Sequence, residues 1–524
     1  MEQQDKAMTH REVLEALSGI MLGMFVSILA TSVVSSSLPK IIADLGGTQA
    51  AFTWVVTATL LTTAISTPIW GKLSDLVNRK TLIQVALVIS VVSSAAAGFS
   101  ESTEMLIACR AVQGVGAGGL MALGSVLIAD IISPRERGRY MGLLGSVMAV
   151  GMVGGPLLGG IITDSFGWEW NFFVGLPFAI AAIVVLQRTL HLPPVVERRV
   201  RIDYLGIMLI STGVALLLLW VTFAGNNFDW VSWQSAAMVG GAVLALGLVV
   251  VVEARFPEPL IPLVLFKNRT VVLSVVASIA VGIGMFGSAV FLSQYMQISR
   301  GMSPTQSGLM TTPMVVGIFL SSTLSGQLIS RYGRYRGYMI AGSILLAAGL
   351  GLMGTIDSHT SLVLIGVYLA VLGIGLGMLQ QNLVLAVQNT LPVRDIGSGT
   401  SLVAFFRTLG GTMGVSVLGA ALTLRVTDEM RTGLADLGIE APGIASGSLP
   451  DVHTLSGPVR ELVESAYAAG IAEVFLIGVP FALVSVVCVF LLREVPLGAR
   501  SGIEQRLAEE VRRLDDDAPA QGAR

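Results

Sequence analysis

Gly71-Lys72-Leu73-Ser74-Asp75-Leu76-Val77-Asn78-Arg79-Lys80 stands between two apolar runs, and a second short polar stretch, Gly326-Gln327-Leu328-Ile329-Ser330-Arg331-Tyr332-Gly333-Arg334, repeats its layout. Leu73 aligns with Leu328 and Arg79 with Arg334, at an offset of 255 residues. A second pair of markers agrees. Gly114-Val115-Gly116-Ala117-Gly118 returns as Gly373-Ile374-Gly375-Leu376-Gly377, at an offset of 259. Two unrelated markers at nearly one offset indicate a duplicated unit, and the apolar runs around them show what is duplicated.

The chain has 524 residues, of which 53% are hydrophobic and only 13% charged, with a mean hydropathy of +0.78. A soluble chain carries about a quarter charged residues, so this composition fits lipid as solvent. The net charge of −2 argues against nucleic acid as a partner. Cys109 and Cys488 lie in apolar runs and are expected as free thiols. Met1 to Leu17 is polar and mixed in charge, so no secretory signal is expected ahead of the first run.

Apolar stretches of about 20 residues read as membrane-crossing helices. They fall near 16–38, 53–73, 81–99, 104–129, 140–163, 170–188, 204–224, 234–252, 271–296, 307–330, 337–355, 361–387, 400–424 and 470–492, fourteen in all. They are continuous and do not alternate, which excludes a β-barrel. With the N-terminus placed in the cytoplasm, the outer loops hold only Lys40, Arg300, Arg425, Arg431 and Arg460. Arg110 and Arg407 fall inside spans, and every other Lys and Arg is cytoplasmic. Only basic residues sort by side, as the positive-inside rule requires. Both termini are thus expected in the cytoplasm.

The expected fold is an all-α integral membrane protein of two six-helix bundles with an inserted helix pair. Its parts are a cytoplasmic N-terminus (1–15), an N-terminal bundle (16–190), a linker (191–203) and the inserted pair (204–254). A C-terminal bundle (271–492), with a long external loop at 425–469, and a cytoplasmic tail (493–524) complete it. Parallel halves of this kind surround a midplane site in many secondary transporters.

Four motifs carry a resemblance. Gly71-x-Leu73-x-Asp75-x-x-x-Arg79-Lys80 resembles the loop motif of the major facilitator superfamily, and Arg110-x-x-Gln113-Gly114-x-Gly116 its span-4 motif. Gly151-x-x-x-Gly155-Pro156-x-x-Gly159-Gly160 resembles the span-5 motif of its antiporters. Trp168-x-Trp170 followed by Pro177 resembles a mark of the 14-helix branch. End to end, the chain is similar to the 14-helix drug:proton antiporters. The resemblance implies a multi-pass protein of a bacterial plasma membrane, not an enzyme, that exports hydrophobic or amphipathic compounds. The proton gradient, not a cofactor, is the implied driving force, with substrates, protons and lipid as partners and a monomer as the functional unit. A dedicated exporter of one lipid or metabolite on the same scaffold, and a receptor that has lost transport, are the competing readings. The departures bear on mechanism. Where many relatives carry an acid in span 1, this chain has Leu29-Ala30-Thr31-Ser32; Asn78 replaces a usual glycine, and Glu169 a usual arginine.

Physical roles can be assigned to these residues. Asp75 and Arg79, four apart, are expected to pair, or Asp75 to cap a helix of the other half, as a cytoplasmic gate with Gly71 and Lys80. Arg110 is a charge within a span and therefore functional by default; the resemblance implies that it organises the proton site, whereas a purely structural arginine would be satisfied by backbone carbonyls or Gln113. Glu473, Asp130 and Asp75 are the candidate proton carriers. Asp130 is expected beside Arg135 and Arg137, and Glu473 at a depth where Arg110 can approach it. The span-5 glycines and Pro156 allow close packing and bending, with Gly410 and Gly414 as a partial counterpart. The cavity candidates are Thr31, Ser35, Gln113, Gln294, Gln297, Gln380, Gln381, Asn382 and Arg407, with Met148, Met152, Tyr295, Phe405 and Phe406 as apolar walls suited to large ligands. Thr9-x-x-Glu12 has capping-box spacing. Pro458 to Ala469 can form a short helix, and Ile503, Leu507, Val511 and Leu514 share one face of the tail. No P-loop and no cluster of metal ligands is visible in the sequence.

Overall fold

The computed structural model describes residues 10–45, 49–189, 203–224, 228–256, 259, 261–302, 304–436 and 457–498. Fourteen long helices follow one another there: α1 (His10–Asp44), α2 (Gln49–Leu76), α3 (Arg79–Ala97), α4 (Thr103–Ile131), α5 (Pro134–Ser165), α6 (Gly175–Thr189) and α7 (Tyr204–Phe223). Then come α8 (Trp233–Glu253), α9 (Arg269–Gln294), α10 (Thr312–Tyr332), α11 (Arg336–Met353), α12 (Leu362–Thr390), α13 (Ile396–Asp436) and α14 (Gly457–Leu491). They coincide in order with the expected spans. Twelve spans among the described residues are long and apolar enough to cross a membrane; α2 and α5 are not among them. α2 is rich in threonine and serine, and α5 begins with charged residues and continues with glycine.

Polar residues start most of these helices. Asn78, Ser102, Ser133, Asp203, Ser232, Asn268 and Ser361 each accept a hydrogen bond from a first-turn backbone N–H, which satisfies an otherwise orphaned donor. α10 ends on Gly333 at φ 71°, the left-handed conformation that glycine adopts without strain. α9 runs directly into a π-helical turn, Tyr295–Ser299.

The duplication is visible in how the glycines pack. A Cβ added at Gly114 or Gly118 would meet Thr59, Thr63 and Ser66 of α2, and one at Gly116 would meet Ala86 and Ser90 of α3. Their counterparts do the same: Gly373 and Gly377 close on Met314 and Ile318 of α10, and Gly375 on Gly342 and Leu346 of α11. In each half the fourth helix is thus wedged between the second and third by backbone approach, as small residues permit in membranes. The pairs α1–α5 and α9–α13, and α1–α6 and α9–α14, repeat the correspondence. Across the halves, α2 meets α13 and α5 meets α10, the relation expected of a pseudo-two-fold axis.

The inserted pair packs mainly on itself and lays α7 over the α2–α13 seam. Ile210, Val214 and Leu218 of α7 bury Ala64 of α2 and Phe405 of α13 in one apolar cluster. The loop expected at 425–469 is shorter than the sequence suggested, because α13 continues to Asp436 and α14 starts at Gly457. Pro458 to Ala469 is therefore no separate helix. The pairs Arg425–Glu429 (2.8 Å) and Arg460–Glu464 (2.7 Å) support these extensions, and Val426, Met430 and Leu434 continue the apolar stripe against Val459 and Val463. Thr9, the 191–202 linker and the tail from Arg500 lie outside the described residues.

Candidate translocation site

The Gly71–Lys80 loop marks one end of the bundle, here called the basic end. There a Cβ on Gly71 would collide with Ser401 and approach the Gly397 carbonyl of α13. α2 thus reaches the other half by backbone contact, at the N-terminal turns of the helix that the sequence suggested Asp75 would face. Two hydrogen bonds also tie the halves: Gln388 Nε2 of α12 donates to the Ser125 carbonyl of α4 (3.3 Å), and Gln381 Nε2 to Met148 Sδ of α5 (3.5 Å). At the basic end, Leu127, Ile128 and Ile131 share an apolar cluster with Val384, Val387, Leu402 and Val403. At the opposite end, the described residues Val34, Leu38, Ile41, Leu106, Trp168 and Phe172 form an apolar cluster of the N-terminal half, and the short helix Pro304–Met310 of the other half reaches α5. The halves are therefore pressed together at the basic end.

α2 stops at Leu76 and α3 starts at Arg79, so Asp75 and Arg79 lie on successive helices. The side chain of Asp75 lies outside the described residues. Arg79 is buried, forms an ion pair with Asp130 of α4, and donates from Nε to the Ser74 carbonyl (2.6 Å). Asp130, expected beside Arg135 and Arg137, is thus engaged by the motif arginine. Asn78, the departure from the usual glycine, accepts from Lys80 N (2.9 Å) and caps α3. Lys80 Nζ donates to the Gln187 carbonyl at the end of α6 (2.9 Å), where a cation suits the helix dipole.

In the bundle interior, Arg110 Nη1 donates to Gln113 Oε1 at 2.6 Å. Both residues are buried, and neither Arg110 Nε nor Gln113 Nε2 has an acceptor. Arg407 Nη1 donates to the Gln380 carbonyl at 3.1 Å. Gln380, Gln381 and Asn382 are buried, and Asn382 donates to the Met378 carbonyl (2.7 Å). Thr31 turns its hydroxyl back to Ser27 O, Gln297 donates to Ser293 Oγ, and Gln294 Oε1 is buried without a donor. The side chain of Ser35 lies outside the described residues.

Three cavity candidates sit elsewhere. Tyr295 is fully buried in the C-terminal bundle, and its phenol donates to the Asp357 carbonyl (2.7 Å). Phe405 and Phe406 stack edge-on, with centroids 5.1 Å apart, and both pack into the α2–α7–α13 seam. Glu473 differs too. It is half-exposed and pairs with Arg425 at 3.2 Å, not with Arg110.

The span-5 glycines face α1. A Cβ on Gly155 would collide with Ser32 and one on Gly151 with Ile28, while Ser32 and Ser37 donate to the Met152 and Gly159 carbonyls. Gly410 and Gly414 meet Ile279 and Ile283 of α9 in the same way. Pro156 and Gly160 lie within α5, which runs through them without a break. Sequence reading passed over a buried cluster in which Asn171 Nδ2 donates to Ser37 Oγ (2.9 Å) and Thr163 Oγ1 (2.7 Å). It also passed over Asp203 and Glu253, both buried beside Gly206 at the base of α7 and α8. The Asp203-x-x-Gly206 start of α7 was the available signal.

Two pseudo-equivalent helical bundles, with buried polar groups between them and the halves in contact at one end, are the build of a multi-pass membrane transporter. The model of the Major Facilitator Superfamily matches residues 20–415, and the chain belongs to that family. It is a transporter, not an enzyme. It is 36% identical over 482 residues to an uncharacterised MFS-type transporter of Mycobacterium tuberculosis, covering 92% of this chain and 69% of that one. It is 30% identical over 524 residues to the multidrug transporter protein MdtP of Bacillus subtilis, covering 94% and 96%. Among solved structures, the proton:xylose symporter XylE superposes with a TM-score of 0.62 at 14% identity, covering 95% of this chain and 99% of that one, a likeness of fold.

Proposed function

We propose that the protein is a proton-driven exporter of hydrophobic and amphipathic compounds that works by alternating access. The observation that carries this reading is the paired architecture: two bundles of matching internal packing, joined at the basic end through Gly71 against α13. The name of the Bacillus relative, a multidrug transporter, supports efflux as the direction. The positive-inside rule puts the basic end in the cytoplasm, with both termini there and fourteen crossings in a bacterial plasma membrane. The state described is then closed to the cytoplasm, poised to release outward and to take up a proton.

Rocking of the halves must break the Gly71–α13 and Ser125–Gln388 contacts while each bundle stays intact, since the glycine-wedged α2–α4 and α10–α12 pairs hold each one together. Arg79–Asp130 lies inside the N-terminal half at the gate. Asp130, engaged there by Arg79, is a carrier candidate alongside Asp75. Glu473, half-exposed and held by Arg425, has the weaker claim. Expression in a bacterium stripped of its own exporters should raise the tolerated concentration of several chemically unrelated hydrophobic compounds. Protection against none, with one metabolite alone accumulating in a deletion strain, would replace this reading with a dedicated exporter.

A further inference from the structure

Charges buried in a membrane protein are normally paired, because an uncompensated one is costly. The interior of this chain breaks that rule in one direction only. Apart from Glu104 at the exposed start of α4, the only acid within the fourteen expected spans is Glu473, and it is half-exposed and bound to Arg425. Apart from Lys72 and Arg188 at the cytoplasmic edges of theirs, the cations within those spans are Arg110 and Arg407. Arg407 meets a carbonyl, not a carboxylate.

Arg110 is 3% exposed and Gln113 1%. They bond to each other at 2.6 Å through Nη1 and Oε1, which turns the amide nitrogen of Gln113 away as a second donor. Arg110 Nε and Gln113 Nε2 are both buried without an acceptor. The backbone beneath them is fixed. Thr59 donates to the Arg110 carbonyl (3.3 Å), and Gly114, one turn on, closes on α2. Arg110 lies seven residues into α4 and Arg407 eleven into α13, about 10 Å and 16 Å from their starts at opposite ends. Both therefore fall well inside the bilayer. A rigid cation–amide pair with idle donors, in a region without a carboxylate, is a recognition site for a carboxylate or sulfonate brought by something else.

We propose that the transported compounds are amphipathic organic anions, and that Arg110 and Gln113 bind the anionic head group while apolar walls such as Met148 and Met152 take the body. Arg407 adds a second positive centre that disfavours cations. This rests on the reading of the chain as an exporter and specifies its substrate class.

Three probes that share a naphthyl body and differ in head-group charge test it in proteoliposomes of the full chain, by equilibrium dialysis and by uptake: 2-naphthalenesulfonate, 2-naphthylmethanol and 2-naphthyltrimethylammonium. The sulfonate should bind at least about tenfold more tightly than the ammonium, the scale of one charge-assisted hydrogen bond. Arg110→Gln should weaken sulfonate binding by about tenfold or more, and Gln113→Leu several-fold, with the neutral alcohol affected far less in both, and a single monodisperse elution peak in detergent reports correct folding. Equal or tighter binding of the ammonium, or an equal loss for all three probes in Arg110→Gln, would overturn the proposal. Charge-selective binding with no saturable transport of any probe would sink the exporter reading and leave the anion site standing.

Discussion

Arg79 shows how the partner of a motif residue can be hidden from the sequence. Its separation from Asp75 suggested a local pair; the partner that the structure shows is Asp130, 51 positions on, bonded from the start of the helix that Asn78 caps. No local rule points to such a partner; only the packing of α3 along α4 does. Because both residues are buried, Asp130→Asn should destabilise the protein by about 3–5 kcal/mol, since it removes one partner of a buried ion pair. Arg79→Met with Asp130→Leu should recover most of that. Thermal unfolding in detergent measures both, and a loss below about 1 kcal/mol for Asp130→Asn would show that the pair is not structural. Glu473 gives the contrast. Half-exposed and paired at 3.2 Å, it belongs to the class of surface bridges worth about 0–1 kcal/mol. Glu473→Gln should leave stability and transport near wild type, and abolished transport would restore it as a carrier candidate.

At the scale of elements, much was legible. The span positions follow from hydropathy, and the glycine repeats identify the wedged helices, because only backbone approach requires Gly114, Gly116 and Gly118 on two faces of one helix. The aromatic wall was less legible: an apolar residue on α13 looks the same in sequence whether it faces substrate, lipid or α7, and Phe405 packs in the α7 seam while Phe406 touches both that seam and the cluster between the bundles. The long α13 and α14 were underestimated because charged i,i+4 pairs extend them past their apolar segments. Gly155→Leu should force α1 and α5 apart at Ser32, and Gly410→Leu should do the same to α13 and α9 at Ile279. Overpacking of this kind costs about 1–3 kcal/mol. Each variant should reach the membrane but lose export or leak protons. Coupled export at the wild-type rate in Gly155→Leu would remove the α1–α5 contact from the mechanism.

At the scale of the molecule, the duplicated halves and the basic-end contact support the proposal that the halves rock, and proton drive is the part of that proposal still to be measured. The twofold arrangement was legible because two markers recur at nearly one offset. Where the halves touch was not, because that depends on side chains meeting across the seam, such as Gln388 on the Ser125 carbonyl. The most direct measurement uses purified protein in proteoliposomes with a pH-sensitive dye inside and an imposed pH gradient. Adding a transported compound should produce a proton flux opposite in direction to the movement of the compound, saturating at the same concentration, and collapsing the gradient with a protonophore should abolish accumulation. Accumulation that persists without the gradient, or transport with no accompanying proton flux, would contradict the account.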